Sequence, residues 1–316
     1  MKKIAILINV IFMISVLIFA AGCQNTTNNG SIGDFTPQGT KGLTMTFVEN
    51  APPDDIYVES GATNDVFETT IELKNQGSYP KEEGFEGKLY IGGFDETVIT
   101  SGGWDGGEDI PTTLNGKSQF FPEGGYEIKS YFADINYGFD SNSYRPTILV
   151  TACYNYQTRA SPLVCIDPTP TSTTVKNKIC TMSDVSMSGG QGGPVSVTSL
   201  EQSGNSQKTI FKIHIQNQGG GQVIPWDAYD RCQELTRRDI DTVQVQVSAS
   251  SLGNGQCTPA GTSDQPVRLQ NGRGVIVCTF DNPLGRNDAY TTPLDITLSY
   301  GYSESIMKQV NIIKID

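Results

Sequence analysis

The chain has 316 residues, a net charge of −12 and 18% charged side chains. The acidic balance excludes a nucleic-acid partner, because neutralising phosphates needs clustered Lys and Arg, and the modest charged fraction excludes a disordered polyelectrolyte. With 34 Gly, 16 Pro, abundant Thr, Val and Ile and few helix-period stretches, the composition is that of an all-β protein long enough for two modest cores.

In chain order, Lys2-Lys3 forms a positive n-region, Ile4–Ala21 an apolar run, and Ala20-Ala21-Gly22-Cys23 resembles a lipoprotein cleavage box. This predicts a signal peptide over 1–22, lipidation of Cys23, and a body on the extracellular face of the membrane. Ala20 stands where the box favours Leu or Val, so an uncleaved N-terminal anchor and plain secretion are the alternatives. The apolar run, at about 18 residues, is at the short edge of spanning length. Residues 23–42 read as a flexible tether: Gln24–Lys41 has almost no apolar residues and would reach on the order of 25 Å. Asn25 and Asn29 head two N-x-S/T sequons open to glycosylation.

The body is an internal repeat. Phe67, Thr69, Ile71 and Leu73 alternate with polar residues and run into Asn75-Gln76-Gly77, and Thr209, Phe211, Ile213 and Ile215 alternate likewise before Asn217-Gln218-Gly219. A period of two marks strands with one buried and one wet face, and each N-Q-G is expected to free the backbone for a tight turn. Later, Ile148, Val150, Ala152, Tyr154 and Tyr156 are answered about 146 positions on by Leu294, Ile296, Leu298, Tyr300 and Tyr302. Val164 and Ile166 are answered by Val310 and Ile312 at the same offset. The four tyrosines continue inward faces and are expected to close each core with hydroxyls bonded near the rim. This predicts two tandem immunoglobulin-like β-sandwich domains, over 43–166 and 180–316, joined by a Pro/Thr linker over 167–179. One short helix, capped by Asp227 and running Ala228–Arg238, decorates the second domain. Trp226 is expected to pack it down.

Beyond Cys23, six of the 7 cysteines remain, an even number that suits three disulfides in an oxidising compartment. Cys153 and Cys165 share an outward phase across an expected hairpin at Gln157–Ser161, which pairs them. Cys257 could pair with Cys278 across the turn at Asn271-Gly272, leaving Cys180 with Cys232 by elimination, but among 15 possible connectivities the sequence leaves these last two pairings open.

The motif apolar-x-apolar-x-Asn-x-Gly, present as Ile71-x-Leu73-x-Asn75-Gln76-Gly77 and Ile213-x-Ile215-x-Asn217-Gln218-Gly219, resembles CARDB-like, immunoglobulin-type repeats of prokaryotic surface proteins. The lipobox followed by KGLTMTFVENAPPDDIYV and IGGFD also looks like surface lipoproteins of small-genome archaea. The resemblance implies an extracellular adhesion or envelope-scaffold role with a protein partner, and it transfers no catalytic residue.

The chemistry-bearing residues agree. His214, the sole His, lies on an outward strand position, and no G-x-S-x-G, HExxH or P-loop pattern occurs. One loop is acidic: Asp105, Glu108 and Asp109 follow Trp104 among glycines and could coordinate calcium, though a solvated acidic turn needs no metal. Trp104 could stack on a sugar or anchor a partner, or be buried against the sandwich end. No other cofactor is expected. A membrane-tethered contact protein is therefore the leading expectation. A glycan- or solute-binding module using Trp104, and a hydrolase with a carboxylate site, are the alternatives.

Overall fold

A computed structural model describes residues 36–59, 65–82, 84–100, 102–104, 106–136, 138, 140–171, 178–283 and 288–315. Cys23, Asn25 and Asn29 lie outside them. The first half contributes β1 (Leu43–Phe47), β2 (Asp55–Glu59), β3 (Val66–Asn75), β4 (Gly87–Gly92), β5 (Glu108–Asp109), β6 (Tyr126–Asp134), β7 (Ser143–Tyr144), β8 (Thr147–Ala160) and β9 (Leu163–Ile166). The second adds β10 (Val185–Ser186), β11 (Val195–Gly204), β12 (Lys208–Asn217), β13 (Gln222–Ile224), β14 (Thr242–Ala249), β15 (Gly253–Asn254), β16 (Gln256–Thr258), β17 (Val267–Arg268), β18 (Arg273–Asp281), β19 (Tyr290–Gln309) and β20 (Asn311–Ile315).

The fold is all-β with sandwich character. In the first half the sheet β1-β3-β6 lies over β4 and β8; in the second, β10-β11-β12-β18-β16 lies over β14 and β19. The alternation read in the sequence sets these faces: Phe67, Ile71 and Leu73 of β3, and Phe211, Ile213 and Ile215 of β12, are all buried.

The two halves are not separate bodies. β8 pairs antiparallel with β19 along the whole length of β8, inside one nine-stranded sheet, and one apolar cluster runs from Leu43 to Tyr302 through both halves. Residues Thr36–Asp316 accordingly form one compact unit. At the centre of the pairing Asn155 lies opposite Gly301, with Tyr154 opposite Tyr302 and Tyr156 opposite Tyr300. The repeat makes Tyr154 equivalent to Tyr300 and Tyr156 to Tyr302, so an approximate two-fold passes through this point. Each half also lends its last strand to the other. β9 pairs with the start of β19, and β20 inserts between β2 and β7, where Val310 and Ile312 complete a core with Val58, Phe67 and Ile148.

That exchange corrects two disulfides. No hairpin forms at Gln157–Ser161: Ala160 faces Ile296 and Leu163 faces Pro293 in one unbroken register, so β9 prolongs β8 past Pro162. Cys165 therefore lies on the order of 40 Å beyond Cys153 along the same line. Cys153 is bonded to Cys232, and Cys165 to Cys180. Cys257 is bonded to Cys278 where β16 crosses β18.

The expected helix is corrected as well. Only a single 3-10 turn, Cys232–Glu234, forms between Asp227 and Arg238. Local bonds take the backbone elsewhere: the Tyr90 hydroxyl donates to Asp230 O (2.8 Å), and the backbone N–H and hydroxyl of Thr236 both donate to the Asp239 carboxylate. The segment caps the outer side of β8, burying Cys153 with Tyr90 and Ile224 against Leu235 and Ile240. Trp226 packs edge-on against Tyr79 of the first half, with ring centroids 6.2 Å apart. The Pro/Thr segment is stapled at its ends, by Cys165–Cys180 and by Lys178 Nζ to Asp167 Oδ2 at 2.6 Å. The last part of the expected tether is also docked, with Gly39 bridged to Gly190.

The N-Q-G motif has a different purpose from a turn requirement. Asn75 Oδ1 accepts from Gly77 N and Tyr156 Oη, while Asn217 Oδ1 accepts from Gly219 N and Tyr302 Oη. Neither glycine has a positive φ. A Cβ at Gly77 would collide with the Tyr156 hydroxyl, and one at Gly219 with that of Tyr302. The motif is an asparagine pin and a flat glycine seat for a core tyrosine.

Candidate functional site

The residues singled out in the sequence do not converge. Trp104 is half-buried, edge-on to Tyr131 with centroids 5.4 Å apart, and touches both apolar clusters. Asp105 lies outside the described residues. Glu108 is paired with Lys129 (2.6 Å) and Asp109 with Lys88 (3.4 Å), so each carboxylate already has its own ammonium group. Among the described residues no group of three His, Cys, Asp or Glu side chains is placed to hold a metal. No described helix is long and apolar enough to cross a membrane.

His214 lies on the outer face of β12, its Nε2 2.7 Å from Glu201 Oε1, which also receives Lys212 Nζ at 3.0 Å. These two hydrogen bonds hold the Glu201 carboxyl below its ordinary range. A concavity of about 580 Å³ beside His214 is lined by Arg268, Gln270, Arg273 and Ser199; a second, of about 370 Å³, is lined by Gln244, Gln246, Asn254 and Thr262. Neither contains an Asp or Glu, so no carboxylate pair of the hydrolase kind lines them.

What stands out is a surface that the sequence motifs did not flag. β6 is hydrophobic on both phases. Tyr131 and Ala133 point into the sandwich, while Tyr126 (51%), Ile128 (52%) and Phe132 (51%) face solvent. Val66 on the neighbouring strand is similarly exposed, and the turn before β6 presents Phe120 (85% exposed) and Phe121. Ser118 N donates to Phe121 O and Phe121 N to Ser118 Oγ, which pins that turn. Monomeric surfaces show scattered apolar side chains routinely, but several large ones on the same face of one strand are a candidate interaction site.

The row is framed by acid. Register places Glu72 beside Ile128, Glu68 beside Phe132 and Asp134 beside Val66. Lys74, beside Tyr126, is held by Glu123 at 3.2 Å. Burial and the Glu72 carboxylate push the Tyr126 hydroxyl above its ordinary range.

β6 is also an edge. The sheet order ends at it, and its two ends are covered: Thr100 N bonds Asp134 O, Asn136 N bonds Val98 O and Gly102 lies against Phe132 O at one end, while Gly125 N bonds Asn115 O at the other, leaving Tyr126–Ser130 between them. A cue was present in the sequence: YEIKSYF places large apolar residues on both phases, where a strand with one wet face should alternate.

No protein-family model matches the chain, and no curated protein matches it significantly. The expected CARDB-like kinship therefore has no support from a family match. Among solved structures, the chain has a similarity to the CupB6 tip adhesin from Pseudomonas aeruginosa, at 9% identity and a TM-score of 0.21 over 89% of this chain and 98% of that one. A likeness that faint carries no argument about this protein.

Proposed function

We propose that this is a membrane-tethered extracellular contact protein, held through Cys23 or an N-terminal anchor, without catalysis, whose first half binds another envelope or surface protein through the outer face of β3 and β6. The observation that carries the reading is the exposed row Tyr126, Ile128 and Phe132 on the outer face of one edge strand, with Val66, Phe120 and Phe121 exposed nearby; other exposed apolar side chains, such as Leu163, Ile179 and Met307, lie elsewhere on the chain. Aromatic anchors of this kind supply most of the energy in protein interfaces. Three disulfides suit an oxidising location, and the immunoglobulin-like reading of the halves fits the same role. For a glycan, Trp104 is the poorer platform, since Tyr131 already occupies one edge of its environment.

The test is capture from envelope extracts by the full chain in detergent, with Ile128→Lys/Phe132→Lys against Val275→Lys on the equivalent strand β18. The expected result is a protein partner retained by wild type and by Val275→Lys but lost with the double variant. Equal retention by all three would sink the reading.

A further inference from the structure

The free edge of β6 narrows the chemistry of the partner, provided that β3 and β6 form the contact face. Over Tyr126–Ser130 the backbone edge of β6 has no neighbouring strand among the described residues. Its outward row in that stretch is Tyr126, Ile128 and Ser130, without a single charge. Natural edges are usually blunted by an outward lysine, a proline or a bulge. Here Lys129 points inward to Glu108, and no proline occurs in β6. The same edge accepts antiparallel backbone nearby in both halves. Ile99 bridges Ile135 just past the end of β6, and β16 runs along Val277–Thr279 of the equivalent strand β18.

Charge completes the picture. Around the free edge Glu68, Glu72, Glu123, Glu127 and Asp134 outnumber Lys74, Lys117 and Lys129, and Lys74 and Lys129 are already paired with Glu123 and Glu108. A second copy of this chain would bring the same acids and its own net charge of −12 to the contact, which opposes self-pairing.

We propose that the partner enters as an extended segment that adds an antiparallel strand to β6 over Tyr126–Ser130, alternating apolar or aromatic residues with lysine or arginine. Backbone hydrogen bonds supply the addition, the Tyr126–Ile128 row receives the apolar side chains, and the acidic rim selects the basic ones.

The experiment uses the full chain in detergent with two capped peptides. One alternates valine or tyrosine with lysine; the other has glutamate in place of each lysine. The lysine peptide should bind, slow amide exchange at Tyr126–Ser130, and weaken as salt rises. The glutamate peptide should bind at least about ten-fold more weakly, by the loss of charge complementarity. Ile128→Lys should lower affinity for the lysine peptide by about ten-fold or more, with near-ultraviolet circular dichroism confirming an intact core, and Val275→Lys should leave it unchanged. Equal binding of both peptides, protection at another strand, or Ile128-dependent self-association would overturn strand addition. If neither peptide binds while the Ile128→Lys/Phe132→Lys variant still loses its envelope partner, strand addition is overturned and the contact reading stands. If that variant keeps the partner, the contact reading itself is overturned.

Discussion

The two halves share an interior and differ on their outer faces. Inside, the pinned tyrosine recurs almost atom for atom: Tyr156 with Asn75 and Gly77 in one half, Tyr302 with Asn217 and Gly219 in the other. Outside, the pair Glu72–Ile128 is replaced by His214–Val275, Lys74–Tyr126 by Gln216–Arg273, and Glu68–Phe132 by Ile210–Thr279. The second half answers its outward charges locally, with Lys212 and His214 both on Glu201. The first half leaves a row of apolar rings open. Core positions are bound by close packing and hydrogen-bond satisfaction, which act equally in both halves. Outward positions are free of that constraint, so the place where the halves diverge is where a binding role belongs.

The largest effect that would test the shared interior is removal of the staple between its halves. Cys153→Ser/Cys232→Ser should cost about 4 kcal/mol, more than the roughly 3 kcal/mol for Cys165→Ser/Cys180→Ser, because a longer loop is released (sequence separation 79 against 15). Denaturant unfolding of the two variants measures the order, and the reverse order would show that the halves are held by packing alone.

Next comes the tyrosine seat. Gly77→Ala should destabilise by about 3 kcal/mol, since its Cβ meets the backbone as well as the Tyr156 hydroxyl, and Gly219→Ala by about 2 kcal/mol. If both were neutral, the motif would be a turn after all.

The seam also titrates. Burial pushes the Tyr302 hydroxyl up to about 12 and raises those of Tyr154, Tyr156 and Tyr300 too. A folded pKa raised above the ordinary 10 lends stability in full below pH 10 and loses it as pH climbs toward 12. Tyrosinate absorbance from these four rings should therefore appear together with loss of far-ultraviolet dichroism between pH 10 and 12. Ionisation well ahead of unfolding would contradict their burial.

A smaller effect tests a place where the seam is asymmetric. Tyr300 Oη is 2.7 Å from Thr158 Oγ1, whereas Tyr154 Oη, its equivalent, is buried without a hydrogen-bond partner among the described residues and feels the charge of Glu304, the counterpart of Thr158. Burial raises the Glu304 carboxyl, with Lys41 opposing. A raised carboxyl stabilises the fold only while protonated, so its ionised form is a liability at pH 7. Glu304→Thr should then add about 1 kcal/mol at pH 7, a figure that allows for screening of a half-exposed group, and the gain should shrink toward pH 4. Least of all, Glu201→Gln should leave the melting temperature unmoved, because exposed pairs contribute almost nothing measurable.

The sequence by itself determined the strands that alternate cleanly and which of their faces is wet, since alternation with period two is written residue by residue in Phe67–Leu73 and Thr209–Ile215. It also determined the equivalence of the halves and the even set of six cysteines. The Cys257–Cys278 partnership was suggested by the sequence but left open there; the structure fixes it where β16 lies against β18, with the intervening β17 paired to β14 instead. The tertiary structure alone decided that β8 runs on into β9 beside β19, and with it the partners of Cys153 and Cys165. It decided that Asp227–Arg238 caps a sheet rather than coiling, because Tyr90 and a disulfide claim that segment. It decided, finally, that one hydrophobic phase of β6 faces water. Local pattern records what a residue prefers, but strand exchange, disulfide partners and the end of a sheet depend on chain segments far apart in sequence, and no local period encodes them.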